Sequence, residues 1–178
     1  MSTLPLIDPS TASEPAAGLL AGVQKSLGIT PNMTKAMANS PALLTGYVEL
    51  SGALSHGVLR PTVREQIALA VAQANSCNYC LSAHSYLAEH VAHLSGDEIA
   101  AARRSEATDP KTAALLSFAT AVNDHRGSVT PQQIDAVRAA GASDEEIAET
   151  IGQVALNVLT NFFNKAVAVD IDFPVVEA

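Results

Sequence analysis

The only two cysteines of this 178-residue chain, Cys77 and Cys80, stand three residues apart, with His84 four residues further on and Glu65 twelve residues before Cys77. A cysteine is a nucleophile as its thiolate, so chemistry at such a pair needs something that lowers the thiol pKa. On a helix, at about 100° per residue, Cys77, Cys80 and His84 project at about 0°, 300° and 340°, inside one sector of about 60°. Cys80 and His84 are then i,i+4 neighbours, near enough for imidazole and sulfur to approach each other. Ser76 is a fair N-cap, and the positive end of a helix starting there favours a thiolate. The three-residue spacing supplies a second requirement. Once one sulfur is oxidised to a sulfenic acid, a thiol within a turn condenses with it to a disulfide and forestalls over-oxidation.

Glu65 raises a question of reach. In one straight helix it would lie about 18 Å along the axis from Cys77, too far to share a proton with His84. Asn75-Ser76 reads as a break, and a turn there would fold two helices together and bring Glu65 to His84 as orienting group or base. Other readings of the same residues remain open. Two buried cysteines can be small hydrophobes. Cys77, Cys80, His84 and Glu65 are also legitimate zinc ligands, although three of them crowd into two helical turns. A thioredoxin reading requires a βαβ context, which this sequence lacks.

The elements that must position these residues are helical. Ser40-Pro41, Pro61 and Asp109-Pro110 open helices, with proline at the first helical position. Ser95 with Glu98, Thr130 with Gln133, and Ser143 with Glu146 have capping-box spacing. Gly28, Gly127 and Gly141 close helices. The last long pattern, from Ile147 to Phe162, follows three-to-four spacing. The reading is an all-α single domain of eight or nine helices, with an extended lead over residues 1–13 and a helix pair at about 61–94. A weak echo at an offset of 80 sets Glu65, Ile67, Ala68 and Gln73 against Glu145, Ile147, Ala148 and Gln153. It suggests two degenerate helical repeats, the second at about 110–168, with Asn157, Thr160 and Asn164 opposite Cys77, Cys80 and His84.

Glu65-(x11)-Cys77-x-x-Cys80-(x3)-His84, within LSHGVLRPTVREQIALAVAQANSCNYCLSAHSYLA, resembles the signature of the AhpD-like alkylhydroperoxidases of the carboxymuconolactone decarboxylase superfamily. The ending VALNVLTNFFNKAVAVDIDFP is similar to that of the peroxidase-related members. The resemblance implies a multihelical AhpD-like fold, homo-oligomers (trimers or hexamers), and thiol-dependent reduction of hydroperoxides. It implies Cys80 as the peroxidatic thiol, Cys77 as the resolving thiol, His84 as the proton-relay base and Glu65 as the carboxylate behind it. It also implies an external dithiol reductant, lipoyl or thioredoxin-like. One departure stands out, because the family's best-known enzyme has a histidine just before the second cysteine where this chain has Tyr79. Decarboxylase members lack the cysteine pair, so its presence favours redox over lactone chemistry. A general thiol-disulfide oxidoreductase is the near alternative.

Composition narrows the rest. Eighteen acidic against ten basic residues leave a net charge of −8, with 4% aromatic residues. No basic surface is available for nucleic acid or anionic lipid, and base-stacking platforms are scarce. No run approaches a membrane span, and the first residues do not read as a targeting peptide. The expectation is therefore a cytoplasmic protein. No phosphate-binding glycine motif is present, so the reading carries no cofactor and electrons arrive through a partner. Asn157, Asn161 and Asn164 share one face of the last helix, read as a polar interface or as partners of the active-site helices.

Overall fold

A computed structural model describes residues 1–178 as nine helices with no strand. In chain order they are α1 (Ala16–Leu27), α2 (Asn32–Met37), α3 (Pro41–Ser55), α4 (Pro61–Ala74), α5 (Asn78–His90), α6 (Gly96–Arg103), α7 (Pro110–Asp124), α8 (Pro131–Ala139) and α9 (Asp144–Ala166). All three capping boxes form, with the Ser95, Thr130 and Ser143 hydroxyls accepting from the third residue on and Glu98, Gln133 and Glu146 reaching back. Each box satisfies two backbone donors that a helix N-terminus leaves unpaired.

Helix α4 is the axis of the fold. It packs against α5, α6, α7 and α9, and every residue from Gln66 to Ala72 is buried. A helix apolar on all sides belongs inside a bundle, which explains its weak amphipathic pattern. Ile67, Leu69 and Val71 on α4 meet Leu81, Leu115 and Leu116 in a single core. Burying each such side chain is worth about 1.5–3 kcal/mol, which fixes α4 firmly enough to serve as a platform. By contrast, α3 buries only Leu44 among its own residues.

The α4–α5 connection departs from the expected break in detail. Helix α5 starts one residue later, because Cys77 rather than Ser76 is its N-cap, at φ −101° and ψ 92°. Ser76 takes a left-handed conformation at φ 50°, and its N–H donates to Gln73 O at 3.0 Å. The Cys77 N–H turns back to Ala72 O at 3.0 Å. Lys165 of α9 braces the reversal, its ammonium donating to Asn75 O at 2.6 Å. At the other end α5 stops at His90, short of the expected Leu94, because His93 is left-handed at φ 58°. Across the echoed register, α9 runs unbroken where α4 and α5 are split by this turn. No helix is long and apolar enough to cross a membrane.

Candidate active site

The turn sets the two sulfurs at the first turn of α5. As N-cap, Cys77 directs its Sγ back over the helix start, where it accepts the Cys80 backbone N–H at 3.3 Å. The two Sγ atoms are 2.6 Å apart, and both side chains are free thiols. Cys80 and His84 therefore stand one helical turn apart on α5, whereas Cys77 lies outside the helix. The sulfurs meet because a capping side chain folds over the first turn.

This pair behaves as a unit in acid–base terms. The hydrogen bond between the two sulfurs, despite burial, holds Cys77 below the ordinary thiol range; the Cys80 backbone N–H and the His84 charge act in the same direction. The same hydrogen bond and burial push Cys80 up. The pair thus gives up its first proton more readily than a lone thiol and its second far less readily. The shared proton can pass from one sulfur to the other along their hydrogen bond. Asn164 of α9 donates its Nδ2 to Cys80 Sγ at 3.2 Å, which favours negative charge on that sulfur.

Glu65 and His84 are brought together. Helix α4 presents Glu65 across the reversal, and its Oε2 lies 2.8 Å from His84 Nδ1. The side chains are only 22% and 24% exposed. Burial opposes charge on His84, but the Glu65 carboxylate, through charge and hydrogen bond, raises its pKa overall, with the Cys77 sulfur adding to the rise. Occupation of Nδ1 by the carboxylate leaves Nε2 as the nitrogen for proton exchange. The zinc arrangement is not formed, because no three His, Cys, Asp or Glu side chains converge on one metal position.

Two cavities flank this pair. One, of about 570 Å³, is floored by Cys80 and His84 and walled by Leu27, Ile29, Tyr86 and Phe173, with Cys77 outside its lining. The other, of about 190 Å³, is lined by Arg64, Glu65, Ser51, Ser55 and Gln153. His84 and Tyr47 face both. Burial, with the neighbouring Cys80 and Glu65, pushes the Tyr47 hydroxyl up to about 12, so it stands as a neutral hydrogen-bond donor beside the imidazole.

Tyr47 carries no signal in the sequence, because it sits in an apolar helical run with no motif around it. The asparagine face is internal. Asn164 reaches Cys80 and also Met33 Sδ, Asn161 Oδ1 accepts from Asn75, and Asn157 is buried. Tyr79 lines the cavity with Cys80, but its hydroxyl is engaged elsewhere. Its hydroxyl donates to Asp172 Oδ1 at 2.8 Å and accepts the Met33 N–H at 3.1 Å.

Residues 41–124 match the carboxymuconolactone decarboxylase family. No curated protein matches the chain by sequence. Among solved structures, an uncharacterised peroxidase-related protein with the alkylhydroperoxidase AhpD core, from Ralstonia eutropha JMP134, superposes with a TM-score of 0.84 at 24% identity, over 96% of this chain and 92% of that one. A peroxidase-related protein from Silicibacter sp. TM1040 gives 0.80 at 24% identity over 95% and 91%. The debrominase Bmp8, as a cysteine-to-alanine variant with 2,3,4-tribromopyrrole, gives 0.78 at 22% identity over 97% and 94%. These solved structures share the chain's all-helical fold.

Proposed function

We propose that this chain of AhpD-like fold is a thiol-dependent peroxidase that reduces organic hydroperoxides through Cys77 and Cys80. The observation that carries the reading is the placement of Cys80 at the floor of an open cavity, with a second thiol 2.6 Å behind it and a carboxylate-bound imidazole lining the same cavity. Access decides which sulfur attacks. Although the resting charge is drawn towards Cys77, only Cys80 lines the cavity, and the proton shared between the sulfurs frees Cys80 as substrate arrives.

In the first step the Cys80 thiolate attacks the distal oxygen of ROOH. The S–O bond forms, the O–O bond breaks, and the departing alkoxide takes a proton from the His84 imidazolium to leave as ROH. In the second step Cys77 attacks the Cys80 sulfenic acid, an S–S bond forms, and hydroxide leaves as water with the Cys77 proton, which passes by way of His84. An external dithiol then returns two electrons and two protons by thiol–disulfide exchange. Glu65 holds His84 in one tautomer and stabilises its charge. We infer a homo-oligomeric assembly as part of the same reading; apolar side chains left exposed, Val48 and Leu50 on α3 and Ile151 and Phe162 on α9, support it.

The test is mass analysis of trapped cysteines after one equivalent of hydroperoxide. The wild type is expected to lose two hydrogens as a Cys77–Cys80 disulfide, Cys77→Ser to gain oxygen, and Cys80→Ser to remain reduced. Wild-type thiols that stay reduced under excess hydroperoxide overturn the reading.

A further inference from the structure

Beyond α9 the chain doubles back along α5 as a strap. Helix α5 holds it through side chains at i, i+1, i+4 and i+8, a spacing that keeps Asn78, Tyr79, Ser82 and Tyr86 close to one side. The Ala178 N–H donates to Asn78 Oδ1 at 3.1 Å, and the Val176 N–H donates to Ser82 Oγ at 2.9 Å. Arg103 Nη2 donates to Glu177 O at 2.6 Å. The Phe173 ring meets Tyr79 edge-on at 6.0 Å and Tyr86 at 5.9 Å. Asp172 closes the latch, with Oδ1 accepting the Tyr79 hydroxyl and Oδ2 accepting the Asn32 N–H at 2.8 Å. The tyrosine that stands between the two cysteines is therefore committed to the strap rather than to proton transfer.

The strap bears on the substrate because Asp172, Phe173 and Pro174 form one wall of the Cys80 cavity. The rest of the lining is largely aliphatic and aromatic and contains neither lysine nor arginine. A volume of about 570 Å³ suits a small organic molecule. The His84 imidazolium that lines the cavity is already paired with Glu65, and an anionic head group would also meet the Asp172 carboxylate at the wall. Desolvating an unpaired charge in such a site is strongly unfavourable.

We propose that the strap, through Phe173 held by the Asp172–Tyr79 latch, is the specificity wall of the Cys80 cavity, and that it selects uncharged apolar acceptors of about ring size over carboxylate-bearing ones. The proposal rests on the thiol-peroxidase reading for the reaction but not for the binding. Phe173 contributes apolar contact with the organic group of ROOH and touches none of the reacting atoms, which makes it a specificity residue.

The experiment has a kinetic arm and a binding arm, both on the full reduced chain. In stopped flow, thiol loss is followed with cumene hydroperoxide, linoleic acid hydroperoxide and hydrogen peroxide. The wild type is expected to favour cumene hydroperoxide over the anionic linoleic acid hydroperoxide. Phe173→Ala is expected to lower the cumene-to-hydrogen-peroxide rate ratio on the order of tenfold, the loss that follows from one aromatic wall. Separately, the neutral fluorophore N-phenyl-1-naphthylamine is titrated in. Its Kd is expected to rise roughly tenfold in Phe173→Ala. Because alanine can loosen the strap, Phe173→Leu and Phe173→Gln are compared as well. They have similar bulk and opposite polarity, so leucine retains probe affinity and glutamine loses it. A rate ratio and probe Kd that do not change in Phe173→Ala, or equal loss of affinity in leucine and glutamine, overturns the proposal. A wild type inert to every hydroperoxide overturns the peroxidase reading instead, and the probe arm then decides the specificity wall alone.

Discussion

Glu65 Oε2 and His84 Nδ1 lie 2.8 Å apart although nineteen residues separate them along the chain. In a continuous helix that separation would be about 28 Å. The contact exists because Ser76 reverses the chain between α4 and α5, and because α4 is too deeply buried to shift. It ties the site's proton chemistry to a backbone turn.

The first consequence concerns rate against pH. With Glu65 holding its proton, His84 stays an imidazolium to higher pH than an ordinary histidine. Peroxide reduction that uses this proton falls off on the alkaline side as His84 loses it. Glu65→Gln keeps the shape but removes the charge, so the alkaline limb moves to lower pH, and the rate at neutral pH falls on the order of ten- to a hundredfold. Pre-steady-state thiol oxidation measured from pH 5 to 10 checks this. An alkaline limb at the same pH in both proteins removes Glu65 from the relay.

Stability follows the same pair with a definite sign. The folded pKa of His84 lies above its unfolded value of 6.5. The stabilisation is therefore fully present below about pH 6.5 and is lost as pH rises through the folded value. Urea melts of wild type and Glu65→Gln are expected to differ most below about pH 6.5 and to converge as pH rises past the folded pKa of His84. A gap that widens with pH contradicts the assignment.

Asn164 offers a separate handle on the sulfurs. Its Nδ2 donates to Cys80 while its Oδ1 is buried without a partner. Replacement by leucine removes the donor that favours the thiolate and also removes the unsatisfied acceptor. Alkylation of the thiols by iodoacetamide at pH 7 is expected to slow roughly tenfold, with the urea midpoint little changed. Unaltered alkylation would show that the amide does not act on the sulfur.

The parts of this site that were legible in the sequence are those set by local rules. Pro61, Asp109-Pro110 and the capping boxes mark helix starts because caps and proline act within a few residues of where they stand. The Cys80–His84 neighbourhood follows from helical spacing alone. Cys77 as N-cap was not legible, since a cysteine in that position gives no compositional signal against the serine beside it. Asn164 on Cys80 and Asp172 on Tyr79 bridge 84 and 93 residues of chain. Helical spacing marks Asn164 on one face with Asn157 and Asn161 but does not name its sulfur partner. Nothing local encodes the Asp172 contact, and Tyr47 reaches the site only because α3 happens to pack there. The strap carries no helical or strand pattern at all, so its place on α5 depends on tertiary hydrogen bonds.

The entry to α4 offers a last test, one of folding rather than chemistry. Glu149 of α9 spans the approach to that helix, its carboxylate accepting the Val58 N–H at 2.7 Å and the Leu59 N–H at 2.9 Å. These are backbone donors just ahead of a helix start, where an anion is favoured. A Cβ on Gly57 would collide with that same carboxylate, so a side chain there must push Glu149 aside. Gly57→Ala is expected to displace Glu149, leave both N–H groups without their charged acceptor, and lower stability by about 1–3 kcal/mol. Glu149→Ala removes the acceptor directly, so the two substitutions share one loss. Their double mutant is then expected to be less destabilised than the two single effects added together. Full additivity in a double-mutant cycle would mean that alanine at Gly57 acts through some contact other than Glu149.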